Sequence, residues 1–202
     1  DYIDLYQCHR YDPSVPLLET CRAMNDLVNA GKILYWGVSE WTAEQIADAH
    51  SLCEEHRWHL PISSQPQYNM LERHWEESAF PTCKAMGMGI VAFSPLGEGM
   101  LTGKYAEGVP DGTRAAHPEQ GQFLQPRLTE KNHAIVARLK EVADGMGLPL
   151  ATLALAWCLR RPEVSSVIVG ASKPEQLKEN ITASDLTLDE SVLERCAAIL
   201  GG

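Results

Sequence analysis

Short runs of β-branched and aromatic residues alternate along this chain with longer stretches whose apolar residues recur every three or four positions. That alternation is the sequence form of repeated strand–helix units on a parallel sheet, and five such units are predicted. Tyr2–Cys8 (YIDLYQC) reads as a strand. Beyond Pro13 and Pro16 comes a helix with Leu18, Cys21, Met24 and Val28 on its apolar stripe, ended by Gly31. Ile33–Val38 (ILYWGV) is the second strand, and Thr42 with Gln45 forms a capping box for a helix carrying Ile46, Ala49 and Cys53. A third strand lies near Ile62–Gln65, a helix around Trp75–Met86, and a fourth strand at Gly89–Phe93 (GIVAF). Residues 95–127, rich in Gly, Pro and Gln, are too long for a simple connection and read as a binding loop or lid. Thr129–Met146 follows as an amphipathic helix on Ile135, Val136, Leu139 and Val142. Ala151–Leu159 is apolar nearly all round and so should be buried. Ser166–Val169 (SVIV) is the fifth strand, Ser172 with Glu175 makes a further capping box, and Leu186–Leu200 is a terminal helix.

Five parallel strands fit either an open doubly wound sheet or part of an eight-stranded barrel, and periodicity does not decide between them. The dinucleotide-binding doubly wound sheet needs a G-x-G-x-x-G turn after an early strand, which this sequence lacks. Barrel chemistry is instead spread over the C-terminal ends of several strands. Polar residues fall there: His9 after the first strand, Ser39 and Glu40 after the second, Gln65 at the end of the third, Ser94 after the fourth, and Gly170–Ser172 after the fifth.

Composition narrows the ligand. In 202 residues, 45% hydrophobic and 22% charged, the balance is that of one ordinary domain over residues 1–202. A net charge of −10 opposes nucleic acid and anionic membrane as partners and leaves a small molecule. The six cysteines form no C-x-x-C pair and no zinc spacing, which predicts reduced thiols and a cytoplasmic protein, and the histidines show no metal-ligand spacing either. No run approaches the ~18 apolar residues of a membrane span, and the first residues do not form a signal peptide. The opening residue is Asp1 rather than Met, which carries the expectation of further sequence in front.

Five motifs, DLYQCHRYDP, GKILYWGVSEW, SSQPQYNML, AFSPLGEGMLTGKY and LALAWCLRRPEVSSVIVGASKPEQLKENI, together resemble the aldo-keto reductases. The similarity is to the branch that includes the β-subunits of voltage-gated potassium channels and their bacterial relatives. The motifs occur in family order and span essentially the whole chain. The resemblance implies a (β/α)8 TIM barrel, present as a truncated barrel of about five parallel βα units: strands four to eight, with the three N-terminal units missing. Unpaired edges at the first and fifth strands would make the chain poorly soluble or a homo-oligomer.

In that family a hydride passes from NADPH to an aldehyde or ketone carbon, a Tyr supported by Lys and Asp protonates the oxygen, and a His orients the carbonyl. The resemblance places His9 in the His role, while the Asp, Tyr and Lys belong to strands before Asp1, so the chain alone is expected to be inactive. Tyr11 has no such partners and reads as structural. The implied cofactor is NADP(H). Ser39 and Gln65 match residues that bind the nicotinamide carboxamide, and Phe93 matches an aromatic residue stacked on the ring. Where the family places Asn or Arg after that Ser, this chain has Glu40, to which no carboxamide role is carried. Ser94, Pro95, Leu96, Gly97, Gly99 and Lys104 match the loop crossing the pyrophosphate, and Arg114 a position that clamps the cofactor. Gly170, Ser172, Lys173 and Gln176 match the site of the adenosine 2′-phosphate, and Glu179 and Asn180 residues that bind adenine. Capping alone would also explain Ser172 and Glu175. Two functions follow from the resemblance: reduction of a small carbonyl substrate, which His9 favours, or a nucleotide-sensing regulatory subunit like the channel-associated relatives.

Overall fold

The computed structural model of the chain describes residues 1–106, 108 and 121–201. The five β-rich runs form one sheet in chain order: β1 (Ile3–Cys8), β2 (Ile33–Val38), β3 (Ser63–Ser64), β4 (Gly89–Phe93) and β5 (Val164–Ile168). β1 with β2, β2 with β3 and β3 with β4 pair parallel, and the Ile90 N–H donates to the Glu163 carbonyl at 3.0 Å where β5 joins β4. Parallel neighbours require crossovers, and helices supply them. α1 (Leu17–Asn29), α2 (Ala43–His56) and α3 (Ala79–Ala85) link the first four strands; α4 (Glu130–Gly145) and α5 (Leu150–Leu159) precede β5; α6 (Pro174–Ile181) and α7 (Glu190–Leu200) follow it. A doubly wound sheet reverses its strand order at a switch point. The order β1-β2-β3-β4-β5 has no reversal, so the fold is that of a partial (β/α)8 barrel.

Helix starts follow their local chemistry. At α2 the Thr42 hydroxyl accepts from the Gln45 N–H (3.2 Å) and the Gln45 side chain accepts from the Thr42 N–H (2.9 Å), the expected capping box. The continuous helix predicted over Trp75–Met86 is instead a 3₁₀ turn, His74–Glu77, followed by α3, with Ser78 at φ −123°, ψ −87° between them. Pro81 is the reason: lacking an N–H, it is tolerated only in a first turn, so the helix must start just ahead of it. β3 is short because Pro61 and Pro66 bracket it. Even so, ladder bonds from Ile62 N to Trp36 O (2.9 Å) and from Gln65 N to Val38 O (2.7 Å) carry the pairing across the expected Ile62–Gln65. β5 begins two residues earlier than the SVIV run, because its start is set by the backbone bond to β4 rather than by β-branched content.

Packing divides into two compact units. The first comprises Asp1–Gln67, His74–Ala92 and Glu163–Ser166. Its strands bury one face under helices, with Trp36, Val38, Ser64, Ile90 and Ala92 at most 2% exposed, together with Cys21, Ile46, Cys53, Phe80 and Cys83. The other face carries a row fixed by register: Gln7 opposite Gly37, Gly37 opposite Ser63, Ser63 opposite Gly89. The Gln7 side-chain amide donates to Ser63 Oγ at 2.8 Å across Gly37, and a Cβ at Gly89 would stand 2.6 Å from Ser165 Oγ. Side chains from alternate strands thus fill the space over glycines of the strands between, as in the layers inside a βα barrel. The second unit comprises the described residues of Tyr68–Arg73, Phe93–Pro162 and Val167–Gly202. Its centre is α5, buried nearly all round as expected, where Tyr68 stacks on Trp157 (centroids 5.5 Å) and Arg160 lies 3.5 Å over the Trp157 ring while donating to the Tyr68 hydroxyl at 2.9 Å.

Candidate functional site

In the first unit the residues predicted at strand ends come to one level. His9, Ser39 and Gln65 lie two residues beyond Gln7, Gly37 and Ser63, hence on the same face. The ladder reaches that level, since the Ser39 N–H donates to Cys8 O (2.9 Å) and the Gln65 N–H to Val38 O (2.7 Å). Arg10 donates from Nη1 to the His9 carbonyl (2.6 Å) and to Ser39 Oγ (3.3 Å). Ser39 is buried, and its hydroxyl donates to the Gln65 carbonyl at 2.7 Å. A hydroxyl has one proton. With that proton committed to Gln65, Ser39 offers a ligand only acceptor capacity. Among the described residues the His9 ring and the Gln65 side-chain amide enter no hydrogen bond; His9 is exposed and Gln65 half-buried.

Glu40 follows Ser39 at φ 58°, a left-handed backbone unusual for a residue other than glycine, and its carboxylate accepts from the Gln67 N–H at 2.5 Å. Sequence reasoning assigned nothing to Arg10 or Glu40. The one signal was an acidic residue where the resemblance leads one to expect Asn or Arg. Tyr11 packs edge-on to Trp41, ring centroids 4.9 Å apart, in agreement with a structural role.

In the second unit Phe93 closes β4 half-buried, its carbonyl accepting from the Tyr68 N–H at 3.2 Å. Ser94 has φ 49°, and its hydroxyl donates to Glu98 Oε1 at 2.5 Å. Pro95 and Gly97 are buried and Leu96 half-buried. Gly97, Glu98 and Gly99 then turn the chain through φ 56°, 58° and 99°. A Cβ on Gly99 would stand 3.0 Å from Lys104 Cε and 3.1 Å from Nζ, so the glycine is what lets the ammonium lie against this bend. A cation over a left-handed bend of backbone suits an anion, although the Glu98 carboxylate adds an opposing charge. Asn69, which the sequence reading did not single out, is fully buried and anchors this loop: its side-chain amide donates to Ser94 O and its Oδ1 accepts from Leu71 N–H, both at 2.9 Å. An Asn set between Tyr68 and Met70 was the available sign. Arg114 lies outside the described residues.

Beyond β5, Gly170, Ser172, Lys173, Gln176 and Glu179 are exposed and Asn180 is half-buried. The predicted Ser172–Glu175 capping box does not form. Pro174 occupies the first helical position, Lys173 is the N-cap, and the third helical position therefore falls on Gln176 rather than Glu175. Gln176 Oε1 accepts from the Ser172 N–H (2.8 Å), the Ser172 hydroxyl (3.1 Å) and the Lys173 N–H (3.3 Å). Nothing lies within 4 Å of a Cβ built on Gly170, so its smallness is not required by packing within the chain.

Four of the other histidines have local contacts. His50 lies 3.7 Å from Glu54, His56 stacks on Trp58 (4.5 Å), His59 meets Asn29 Oδ1 at 3.2 Å, and His74 packs on Trp75 (4.2 Å). All six cysteines are free thiols. Burial pushes the Cys8 and Cys83 thiols up to about 11, and Cys21 is raised by its hydrogen bond to Cys53 and by burial. Among the described residues no helix is long and apolar enough to cross a membrane.

The model of the Aldo/keto reductase family matches residues 1–200, and the chain belongs to that family. It is 41% identical, over 99% of its length, to a probable voltage-gated potassium channel subunit beta of Oryza sativa subsp. japonica, and 43% identical over 92% to one of Arabidopsis thaliana. It is 39% identical over 91% of its length to an L-glyceraldehyde 3-phosphate reductase of Escherichia coli O157:H7. The chain spans 62%, 57% and 54% of the lengths of these three relatives.

Proposed function

We propose that this chain is the cofactor-binding part of an NADP(H)-dependent reductase of small aldehydes or ketones. The observation that carries the reading is the common level of His9, Ser39 and Gln65, with an imidazole and an amide that are free among the described residues beside a hydroxyl able only to accept. NADPH, when bound, supplies a hydride to the carbonyl carbon. Ser39 accepts from the carboxamide NH2 and the Gln65 amide binds the same group, which fixes the face the nicotinamide presents. His9 donates one hydrogen bond to the substrate oxygen, orienting it and stabilising the charge that develops there. Lys104, over its glycine bend, and Ser172 with Lys173, ahead of α6, are the cationic and hydroxyl groups that bind phosphate. Phe93 stacks on the nicotinamide, and Glu179 and Asn180 bind adenine. On this reading these residues bind the cofactor and orient the substrate, and the Tyr that the family resemblance implies as proton donor is not among the matched motif residues.

The relatives named as channel subunits support a second reading, in which bound nucleotide regulates a protein partner. His9 separates the two. In the complete protein, His9→Ala should lower turnover of a small aldehyde on the order of 10²-fold with NADPH affinity unchanged. Unchanged turnover would remove the catalytic reading and leave the regulatory one.

A further inference from the structure

Ser39 and Glu40 grip the segment after β3 from both sides of Pro66. On one side the Ser39 hydroxyl donates to the Gln65 carbonyl at 2.7 Å; on the other the Glu40 carboxylate accepts from the Gln67 N–H at 2.5 Å. Pro66 is buried, its own φ is fixed and it donates nothing, so these two bonds and the Gln65 N–H to Val38 O bond hold the turn. Glu40 reaches its position only through a left-handed backbone at φ 58°, a conformation that costs energy and that its carboxylate bond offsets. Gln65 carries the one side chain of this turn at the level of His9 and Ser39, and no bond within the described residues fixes its amide. Its direction therefore depends on how firmly the backbone on either side is held.

We propose that Glu40 is a positioning residue: by holding the Gln67 N–H it fixes the Gln65–Pro66–Gln67 turn and so presents the Gln65 amide to a ligand carboxamide. The inference rests on the proposed nicotinamide role of Gln65. It gives a role to the position where this chain departs from the Asn or Arg expected there, one exercised through the protein backbone rather than by contact with the cofactor. Gln in place of Glu40 keeps an acceptor of the same reach; Asp keeps the charge and shortens the reach by one methylene; Ala removes both.

The test uses the complete protein and two probes, NADPH and adenosine 2′,5′-bisphosphate, which lacks the nicotinamide. Glu40→Ala and Glu40→Asp should weaken NADPH about tenfold, the equivalent of one hydrogen bond, with the bisphosphate unaffected. Glu40→Gln should retain wild-type affinity. Hydrogen exchange supplies a ligand-free readout: the Gln67 amide should lose protection in the Ala and Asp variants and keep it in the Gln variant. NADPH affinity unchanged in both the Ala and Asp variants would overturn the proposal, as would equal weakening of both probes, which marks a merely structural role. If Glu40→Ala does not fold, Glu40→Asp decides alone. A wild-type protein that binds neither probe would remove the proposed function, and this inference with it; a wild-type protein that binds both, with an indifferent Glu40→Asp, would remove the inference alone.

Discussion

Gly37→Ala probes the row of side chains that sets the level of the candidate site. A Cβ at Gly37 would overlap Ser63 Oγ and stand 2.5 Å from Gln7 Oε1 and 2.6 Å from the Ser63 carbonyl oxygen. The first two atoms end side chains that can swing, at the loss of the Gln7–Ser63 hydrogen bond. The third is backbone of β3, held in the ladder, so β2 and β3 must shift apart. Overpacking of this kind costs about 1–3 kcal/mol, and the lost bond about 0.5–1.5 kcal/mol. Against these, the stiffer unfolded chain returns about 0.4–1 kcal/mol. The net is a destabilisation of about 2 kcal/mol, which in urea unfolding lowers the midpoint by about 1 M at unchanged slope. Gly89→Ala is the internal comparison. Its Cβ would meet only the Ser165 side chain closer than 3.4 Å, at 2.6 Å from Oγ, and a serine can rotate away, so it should cost clearly less. Ser63→Gly should recover part of the Gly37→Ala loss but not all, because the carbonyl remains. A Gly37→Ala chain within 0.5 kcal/mol of wild type, or one no worse than Gly89→Ala, would show that the row is not packed as described.

Two further outcomes follow from single positions. Gly145 ends α4 without a positive φ and with nothing within 4 Å of a built Cβ, so Gly145→Ala should stabilise the chain by about 0.5–1 kcal/mol in the same urea assay; a loss of stability would contradict it. The Cys83 thiol is raised from 9.0 to about 11 by burial, partly countered by a hydrogen bond with Ser64, so the folded state holds its proton more tightly than the unfolded one. Its contribution is whole below pH 9 and falls by up to about 1.4 kcal/mol per pH unit as pH rises towards 11. The stability gap between wild type and Cys83→Ala should therefore shrink over that range, and a constant gap would refute the assignment.

The strand–helix alternation was legible because apolar periodicity and caps are local: Ile33–Val38, Gly89–Phe93 and the Thr42–Gln45 box appear where the sequence placed them. The strand-end residues His9, Ser39 and Gln65 were legible for the same reason, since a strand's end fixes which residue leaves the sheet. What escaped depends on partners distant in the chain. The break before α3 and the start of α6 are governed by Pro81 and Pro174, whose missing N–H outweighs the apolar and capping patterns around them. The alternation of Gln7, Gly37, Ser63 and Gly89, with Ser165 against Gly89, exists only once the strands are paired, and no single strand displays it. Glu40 and Asn69 act on backbone groups 27 and 25 residues away, a reach that no local pattern encodes.

The measurement that bears most directly on the account is fluorescence titration of the intact protein with NADPH and NADH, wild type beside a Ser172→Ala, Lys173→Ala double variant. Ser172 and Lys173 stand exposed ahead of α6, and on the proposed reading Lys173 takes the place where an NAD-selective site would hold a carboxylate against the ribose hydroxyls. Two charge-assisted hydrogen bonds to a 2′-phosphate, each worth roughly 1.5–3 kcal/mol, predict a preference for NADPH on the order of a hundredfold or more. The double variant should lose most of it. Equal affinities for the two nucleotides in the wild type, or an undiminished preference in the double variant, would contradict the account.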